Sequence, residues 1–341
     1  MKKTGIHLTV GLVGCGGIAQ VIHLPLLKKH PDVQVQAICD IDTSKAAIIA
    51  DKFNIPTVYE DIADMLQREE LDVLFILTPN NLHLPMSLLA LDRNMHVFIE
   101  KPVARNTEEV EKIKKHANSA DKTVMVGMQN RFRIDAQTLH RFIIGNELGN
   151  IFYIKTGWLH ARYHAVKQPW LFNKNVSGGG VVMDLGVQLI DLAWWLLNKP
   201  NPIMVKANSF KINPELLVED FCVACITFEN NVSFFFEISW DFPITQDQLY
   251  FEIIGEKGIG SLNPLKLQKI LHGQLVNINP DFQESKISNF KKAYQNEVYH
   301  FIDYLSGRVD YLESSVDDAI QILKIVDGIY KSIQTEREVL L

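Results

Sequence analysis

Val10-Gly11-Leu12-Val13-Gly14-Cys15-Gly16-Gly17-Ile18-Ala19 runs from an apolar strand through a glycine turn into a helix. Gly14 and Gly16 lack a Cβ, so the backbone there can turn tightly and come close to a pyrophosphate, while the small Ala19 lets helix and strand pack closely. The unpaired amides that open such a helix attract anions, which makes Gly14, Gly16, Gly17 and Ile18 candidate cofactor-binding residues. A G-x-G-x-x-A alone is a weak signal. Here it follows a strand, opens a helix and leads to a second apolar run, Val33 to Cys39, that ends at Asp40, and this context points to a dinucleotide. Asp40 lies slightly beyond the usual offset of about 20 residues, yet it is placed to accept from an adenosine ribose hydroxyl, and its charge would repel a 2′-phosphate. NAD is therefore expected over NADP, with Lys45 the nearby cation that opposes the preference.

The chain of 341 residues exceeds the roughly 250 to 300 at which one core stops growing, so two domains are expected, 1–130 and 131–341. In the first, strand and helix patterns alternate: a helix from about Ser44, strands Leu71 to Leu77 and Met95 to Ile99, a helix from His83 to Arg93 between them, and strand Thr123 to Gly127. Asn106 with Glu109 resembles a capping box opening one more helix. This alternation argues for a parallel sheet covered on both faces. Beyond it, Ile151 to Leu159, Ile203 to Ile212, Phe221 to Phe228, Val232 to Ser239 and Gln248 to Ile254 read as strands, with a hairpin signal at Glu229-Asn230-Asn231. A mostly antiparallel sheet follows, closed by helices over Asn289 to Leu305 and Ser315 to Ser332.

With 47% hydrophobic and 22% charged residues and a net charge of -6, the chain has no basic field for nucleic acid or an anionic membrane. No apolar run is read as reaching the roughly 18 residues of a membrane span. Met1-Lys2-Lys3 and Leu12-Val13-Gly14-Cys15 imitate a lipoprotein signal, but the stretch is short, contains His7 and ends in the glycines that the nucleotide turn needs. The cytoplasm is the expected compartment. Four scattered cysteines do not frame a disulfide scaffold, and Cys222 and Cys225 fall inside a strand, where residues three apart point to opposite faces, so they read as buried strand cysteines rather than a zinc or redox pair.

Two constellations carry chemistry. Strand Met95 to Ile99 delivers Glu100-Lys101-Pro102 at its carboxyl end, the edge of an open parallel sheet where ligands bind, and the proline biases Lys101 toward an extended backbone; a plain surface lysine at a strand end is the alternative. Further on, Asp184, Gln188 and Asp191 share one stripe of an otherwise apolar helix. Buried carboxylates need partners or a wet cavity. Asp191 reads as part of a buried network, whereas Asp184, after the triple glycine Gly178-Gly179-Gly180 that would permit close approach of a ligand, reads as a site residue.

Gly14-x-Gly16-x-x-Ala19, Thr78-Pro79-Asn80-Asn81-Leu82-His83, Glu100-Lys101-Pro102 and Gly179-Gly180-x-x-x-Asp184-x-Gly186 together resemble the glucose-fructose oxidoreductase/inositol dehydrogenase family (Gfo/Idh/MocA), along nearly the whole chain. The resemblance implies an α/β protein: an N-terminal Rossmann parallel sheet plus a C-terminal α+β domain with a large, mostly antiparallel open sheet. It implies hydride transfer between a nicotinamide and a carbon of a sugar, cyclitol or sugar derivative. It places Lys101 at the reacting hydroxyl or carbonyl, Thr78, Pro79, Asn80, His83 and Glu100 near the cofactor, and Asp184 where it orients the substrate or the lysine.

The family commonly has a histidine proton acceptor four residues after the aspartate, and this chain has Gln188. An amide does not titrate in the useful range. Three readings stay open: Lys101 alone manages the proton, another group such as Tyr163, His160 or His164 replaces the histidine, or catalysis is impaired and the chain is an NAD-binding sensor or assembly protein. A hydrolase using bound NAD as a transient redox cofactor is a further alternative. Substrate contacts are expected from Arg162, Tyr163 and Trp170, with Asp184 and Gln188, since aromatic faces stack on sugars and Arg162 suits a phosphate or carboxylate. His160, His164 and Asp184 are not read as a metal site, because hydride transfer needs none. A homodimer or homotetramer is expected through the C-terminal sheet, on the premise that Phe234, Phe236 and Trp240 lie on an uncovered face.

Overall fold

The computed structural model describes residues 7–161, 169–278, 280 and 289–341. Two compact units emerge, Met1–Gln129 with Phe290–Ile320, and Asn130–Asn289 with Gln321–Leu341.

In the first unit six parallel strands, β1 (Leu8–Val13), β2 (Val33–Cys39), β3 (Thr57–Tyr59), β4 (Val73–Ile76), β5 (His96–Glu100) and β6 (Val124–Gly127), stand in the order β3-β2-β1-β4-β5-β6. β4 is buried at every residue, and of β5 only His96 is not. Burial on both faces explains why these strands read as short continuous apolar runs without alternation. Strand order reverses between β1 and β4, so the crevice at their carboxyl ends is where an open α/β sheet takes its ligand.

The intervening helices start where polar side chains cap them. Asn106 Oδ1 accepts from the Glu109 amide at 3.0 Å, as the capping-box pattern requires, but the Glu109 carboxylate turns to the Arg105 amide at 2.9 Å instead of to the cap residue's own N–H. The second helix begins one residue before Ser44: Asp42 is its cap, accepting from the Lys45 amide at 2.9 Å. The glycine turn opens a π-helical turn, Ala19–His23, before α-helix Leu24–Leu27, rather than an α-helix directly.

The second unit holds a nine-stranded sheet built of β7 (Ile151–Ala161), β8 (Pro202–Phe210), β9 (Phe221–Phe228), β10 (Ser233–Phe242), β11 (Gln248–Gly255), β12 (Gly258–Leu262), β13 (Lys266–Leu271), β14 (Gln274–Asn277) and β15 (Val339–Leu340). Its order is β14-β13-β12-β11-β7-β10-β9-β8-β15, antiparallel except for the central β7 and β10. Asn231, in the left-handed region at φ +59°, turns β9 into β10 as the hairpin signal implied.

The sheet's covered and open faces are the reverse of the expectation. Phe234 and Phe236 are 0% and Trp240 1% exposed, because this face lies under the chain's own turn Val182–Gly186, where Ile238 meets Gly186 and Trp240 meets Asp184. The other face carries Tyr153, Lys155, Phe235, Glu237, Tyr250 and Glu252, partly exposed, with Lys155 paired to Glu252 at 2.8 Å and the Tyr250 hydroxyl donating to Glu237 at 2.7 Å.

Two further expectations are corrected. The helical stretch Lys174–Leu196 is long and apolar enough to span a membrane by length and composition, with a mean hydropathy of 1.3 over an 18-residue window, but 83% of that window is buried. Of the two strand cysteines expected to be buried, Cys222 is buried but Cys225 is exposed on β9, because residues three apart on a strand point to opposite faces.

Candidate active site

The glycine turn follows β1. Gly14 sits at φ +91°, and a Cβ there would lie 2.7 Å from the Leu77 carbonyl oxygen, so the fold itself demands glycine. Gly16 and Gly17 are different. A Cβ on either would meet nothing within 4 Å, so the protein leaves space beside these two amides. Glycines that the chain's own packing does not require fit a turn whose backbone a pyrophosphate approaches.

Asp40, just past the end of β2, holds that turn in place. Its Oδ2 accepts from the Cys15 amide at 2.7 Å, its Oδ1 from the Asp42 amide at 2.9 Å, and the Lys45 ammonium lies 3.0 Å from Oδ1. Burial pushes this carboxyl's pKa up, but the two amides and Lys45 bring it below the usual range, so it stays ionised. Cys15 is fully buried behind the central strand, and burial with help from Asp40 pushes its thiol up to about 12. Processing at Cys15 would remove β1 from the middle of the sheet.

At the carboxyl end of β4, Asn80–Leu82 forms a 3-10 turn and His83 begins helix His83–Leu91. His83 is 0% exposed, with Nε2 at 2.8 Å from the Thr78 carbonyl and Nδ1 at 2.9 Å from that of Pro102. It brackets the two loops of the motif from inside. Burial pulls its pKa down, against the Thr78 and Pro102 carbonyls, which favour the protonated ring. Asn80 is also buried, and the Thr78 hydroxyl donates to Met86 Sδ at 3.6 Å.

Glu100 ends β5 and is 7% exposed. His23 Nε2 donates to its Oε1 at 2.7 Å, and its Oε2 accepts from the Lys101 amide at 3.2 Å. Burial raises the Glu100 pKa, but His23 and then Lys101 bring it below the usual value. Glu100 is thus an internal anchor for the backbone of Lys101. His23 was not singled out in the sequence; its position in the turn after the glycine motif, facing Phe75 and Phe98 in the core, is the signal that could have found it. The Lys101–Pro102 peptide is cis.

In the second unit Asp184 lies within a π-helical turn, Val182–Gly186, that leads into helix Val187–Leu196. Trp240 Nε1, at the end of β10, donates to its Oδ2 at 3.0 Å, fixing the carboxylate's orientation; the sequence reading had Trp240 on an open sheet face. Gln188, 4% exposed, donates its side-chain amide to the Asp184 carbonyl at 2.9 Å. Asp191 is 1% exposed and takes both forks of the fully buried Arg131 guanidinium, at 2.9 Å and 2.5 Å. That is the buried network the stripe required, with a partner sequence reasoning had not identified.

The triple glycine does not mark an approaching ligand. A Cβ on Gly179 would lie 1.8 Å from the Tyr330 hydroxyl and one on Gly180 2.0 Å from the Glu219 carbonyl oxygen, so the chain's own atoms fill the space. Trp170 lies in the turn Pro169–Phe172 and is partly buried. Arg162, Tyr163, His164 and Lys167 lie outside the described residues. His160 Nδ1 is 3.0 Å from Asp247 Oδ2. Among the described residues, no group of three His, Cys, Asp or Glu side chains is placed to hold a metal ion.

Comparison with known proteins agrees with both units. Residues 8–128 match the family model described as oxidoreductase family, NAD-binding Rossmann fold, and residues 136–260 match the GFO/IDH/MocA C-terminal domain. The chain is 26% identical to D-glucoside 3-dehydrogenase of Escherichia coli (strain K12), covering 97% of each. In fold it is similar to levoglucosan dehydrogenase in complex with NADH and levoglucosan, at TM-score 0.87, 21% identity and coverage of 98% of this chain and 99% of that one. It is likewise similar to the WlbA dehydrogenase from Bordetella pertussis in complex with NADH and UDP-GlcNAcA, at TM-score 0.84, 21% identity and 98% and 99% coverage. With family models matched on both units, the chain belongs to the Gfo/Idh/MocA oxidoreductases with an NAD-binding Rossmann fold.

Proposed function

We propose that the chain is an NAD-dependent dehydrogenase acting on a CH–OH carbon of a sugar or sugar derivative, with Lys101 as the proton-handling group. The observation that carries this is the anchoring of Lys101: a buried ionised Glu100, itself held by His23, fixes its amide at the carboxyl edge of the parallel sheet. The names of the relatives, a glucoside dehydrogenase and dehydrogenases bound to levoglucosan and to a UDP-sugar acid, support the substrate class.

Residues 1–130 would hold the dinucleotide. Gly16, Gly17 and Ile18 would face its pyrophosphate, Asp40 its adenosine ribose, and Thr78, Pro79 and Asn80 its nicotinamide half, while His83 and Glu100 brace those loops from within. The bound nicotinamide supplies hydride acceptance or donation. Lys101 gives or takes the proton at the reacting oxygen, and Asp184, oriented by Trp240, accepts from a substrate hydroxyl. Residues 131–341 would bind the substrate, through Trp170, Gln188, Arg162 and Tyr163, and assemble a homodimer or homotetramer on the open sheet face around Tyr153, Phe235 and Tyr250. All four cysteines are free thiols, which suits the cytoplasm.

The preference for NAD rests on the Asp40 carboxylate, even with Lys45 beside it. Asp40→Ser removes the charge that repels a 2′-phosphate and leaves Lys45 without that ion pair. The ratio of kcat/KM for NADP to that for NAD is expected to rise by about tenfold or more, equivalent to roughly 1.4 kcal/mol. An unchanged ratio would assign selectivity elsewhere.

Gln188 departs from the family's histidine, and its amide is engaged by the Asp184 carbonyl. Gln188→His supplies a titratable group at that place. If the missing base limits the reaction, steady-state alcohol oxidation should rise by about 10- to 100-fold with a new ionisation near neutrality in its pH profile. No gain would assign the proton to Lys101 or another group.

A further inference from the structure

Glu219, in the second unit, is a half-buried carboxyl with one-sided bonding. Three donors converge on its Oε1: the Tyr330 hydroxyl at 2.9 Å, the Gly180 amide at 2.9 Å and the Val182 amide at 3.2 Å. None of the three reaches Oε2. Burial pushes the Glu219 pKa up, against the help of those donors. Oε2 is therefore open to a further donor.

The residue lines a cavity of about 530 Å³ that lies wholly within this unit. That volume falls in the range of small-molecule sites. Lys174 and Lys211 also line it, with Ser209, Tyr330 and the ring of Phe210. Two ammonium groups favour an anion. A ligand hydroxyl both donates and accepts, so it pairs with Oε2 whether Glu219 is ionised or protonated, and an aromatic ring suits the C–H face of a sugar.

We propose that this cavity is a second ligand site, separate from the Asp184 constellation, for a polyhydroxylated anion: a sugar carrying one phosphate or carboxylate, its hydroxyls on Glu219 and its charge on Lys174 and Lys211. Through Oε1 the same carboxyl holds the amides of Gly180 and Val182, at the start of the turn that carries Asp184. Glycine at 179 and 180 is what lets Tyr330 and Glu219 close over that turn.

Isothermal titration calorimetry on the full chain tests it with D-glucose 6-phosphate, D-gluconate, D-glucose and inorganic phosphate. The titrations use Lys101→Met protein without added NAD, so that no turnover contributes heat. Saturable binding of at least one sugar anion is expected, at least tenfold tighter than glucose or inorganic phosphate. Lys174→Ala/Lys211→Ala should weaken it at least tenfold. Glu219→Gln, which keeps an acceptor for the three donors, should reduce the preference for sugar anion over inorganic phosphate; thermal melts confirm that these variants fold. No saturable binding of either sugar anion, affinity untouched by the lysine pair, or inorganic phosphate binding as tightly as the sugar anions would overturn the site. Because the readout is binding in the absence of NAD, failure of the dehydrogenase reading leaves this result intact.

Discussion

Lys101→Met is expected to lower turnover by about 10²- to 10⁴-fold while NAD affinity, read by fluorescence titration, changes little. The size follows from removing one general acid–base group, and Gln188 provides no titratable reserve four residues after Asp184. Methionine keeps much of the lysine's length and removes the ammonium, and the backbone anchor survives, since Glu100 Oε2 accepts from the residue 101 amide and not from its side chain. Loss of kcat with an intact NAD titration would place the amine at the chemistry. Turnover equal to the unaltered chain would defeat the assignment, and joint loss of both would make Lys101 a cofactor or folding residue.

Arg131→Met should cost about 3 to 5 kcal/mol of stability, seen as a lower urea midpoint for the second unit. The guanidinium is 0% exposed and bidentate on Asp191, so its removal strands a carboxylate that is 1% exposed inside helix Val187–Leu196. Replacing both partners, Arg131→Met with Asp191→Leu, should recover most of the loss, because two apolar groups leave no charge behind. A single variant as stable as the unaltered chain would show that the pair does not hold this helix. Since the helix follows directly from the Asp184 turn, the single variant should also depress kcat beyond what its folded fraction explains.

Much of this was written locally. β4 and β5 were legible because strands buried on both faces must be apolar throughout, and the glycine turn because strand, turn and helix succeed one another within ten residues, Val10 to Ala19. β3 has only three residues, while β14 is exposed throughout and β13 mixes polar with exposed apolar residues, so neither periodicity nor burial marked them.

Side-chain alternation also grouped Phe234 and Phe236 correctly on one face of β10 without telling which face the chain covers. The clue lay elsewhere, in the stretch Val182–Leu196, apolar but for Asp184, Gln188 and Asp191, which needed a cover of its own. The triple glycine failed for a related reason. Missing Cβ atoms announce a close approach, but whether a ligand or Tyr330, far along the chain, makes it is a long-range fact. Likewise a buried Asp191 required a cation, while only the fold could identify Arg131. Asp184 was singled out on its spacing, and the Trp240 donor that orients it comes from a strand 56 positions away.

The most direct test of the account is to incubate the purified chain with NAD and a panel of sugars and sugar derivatives, following NADH absorbance and product together. The account predicts NADH formed in step with an oxidised sugar for at least one compound, or consumed in step with reduction of the corresponding keto-sugar. Bound NAD with no change in NADH across the panel, or product released without net NADH, would contradict it.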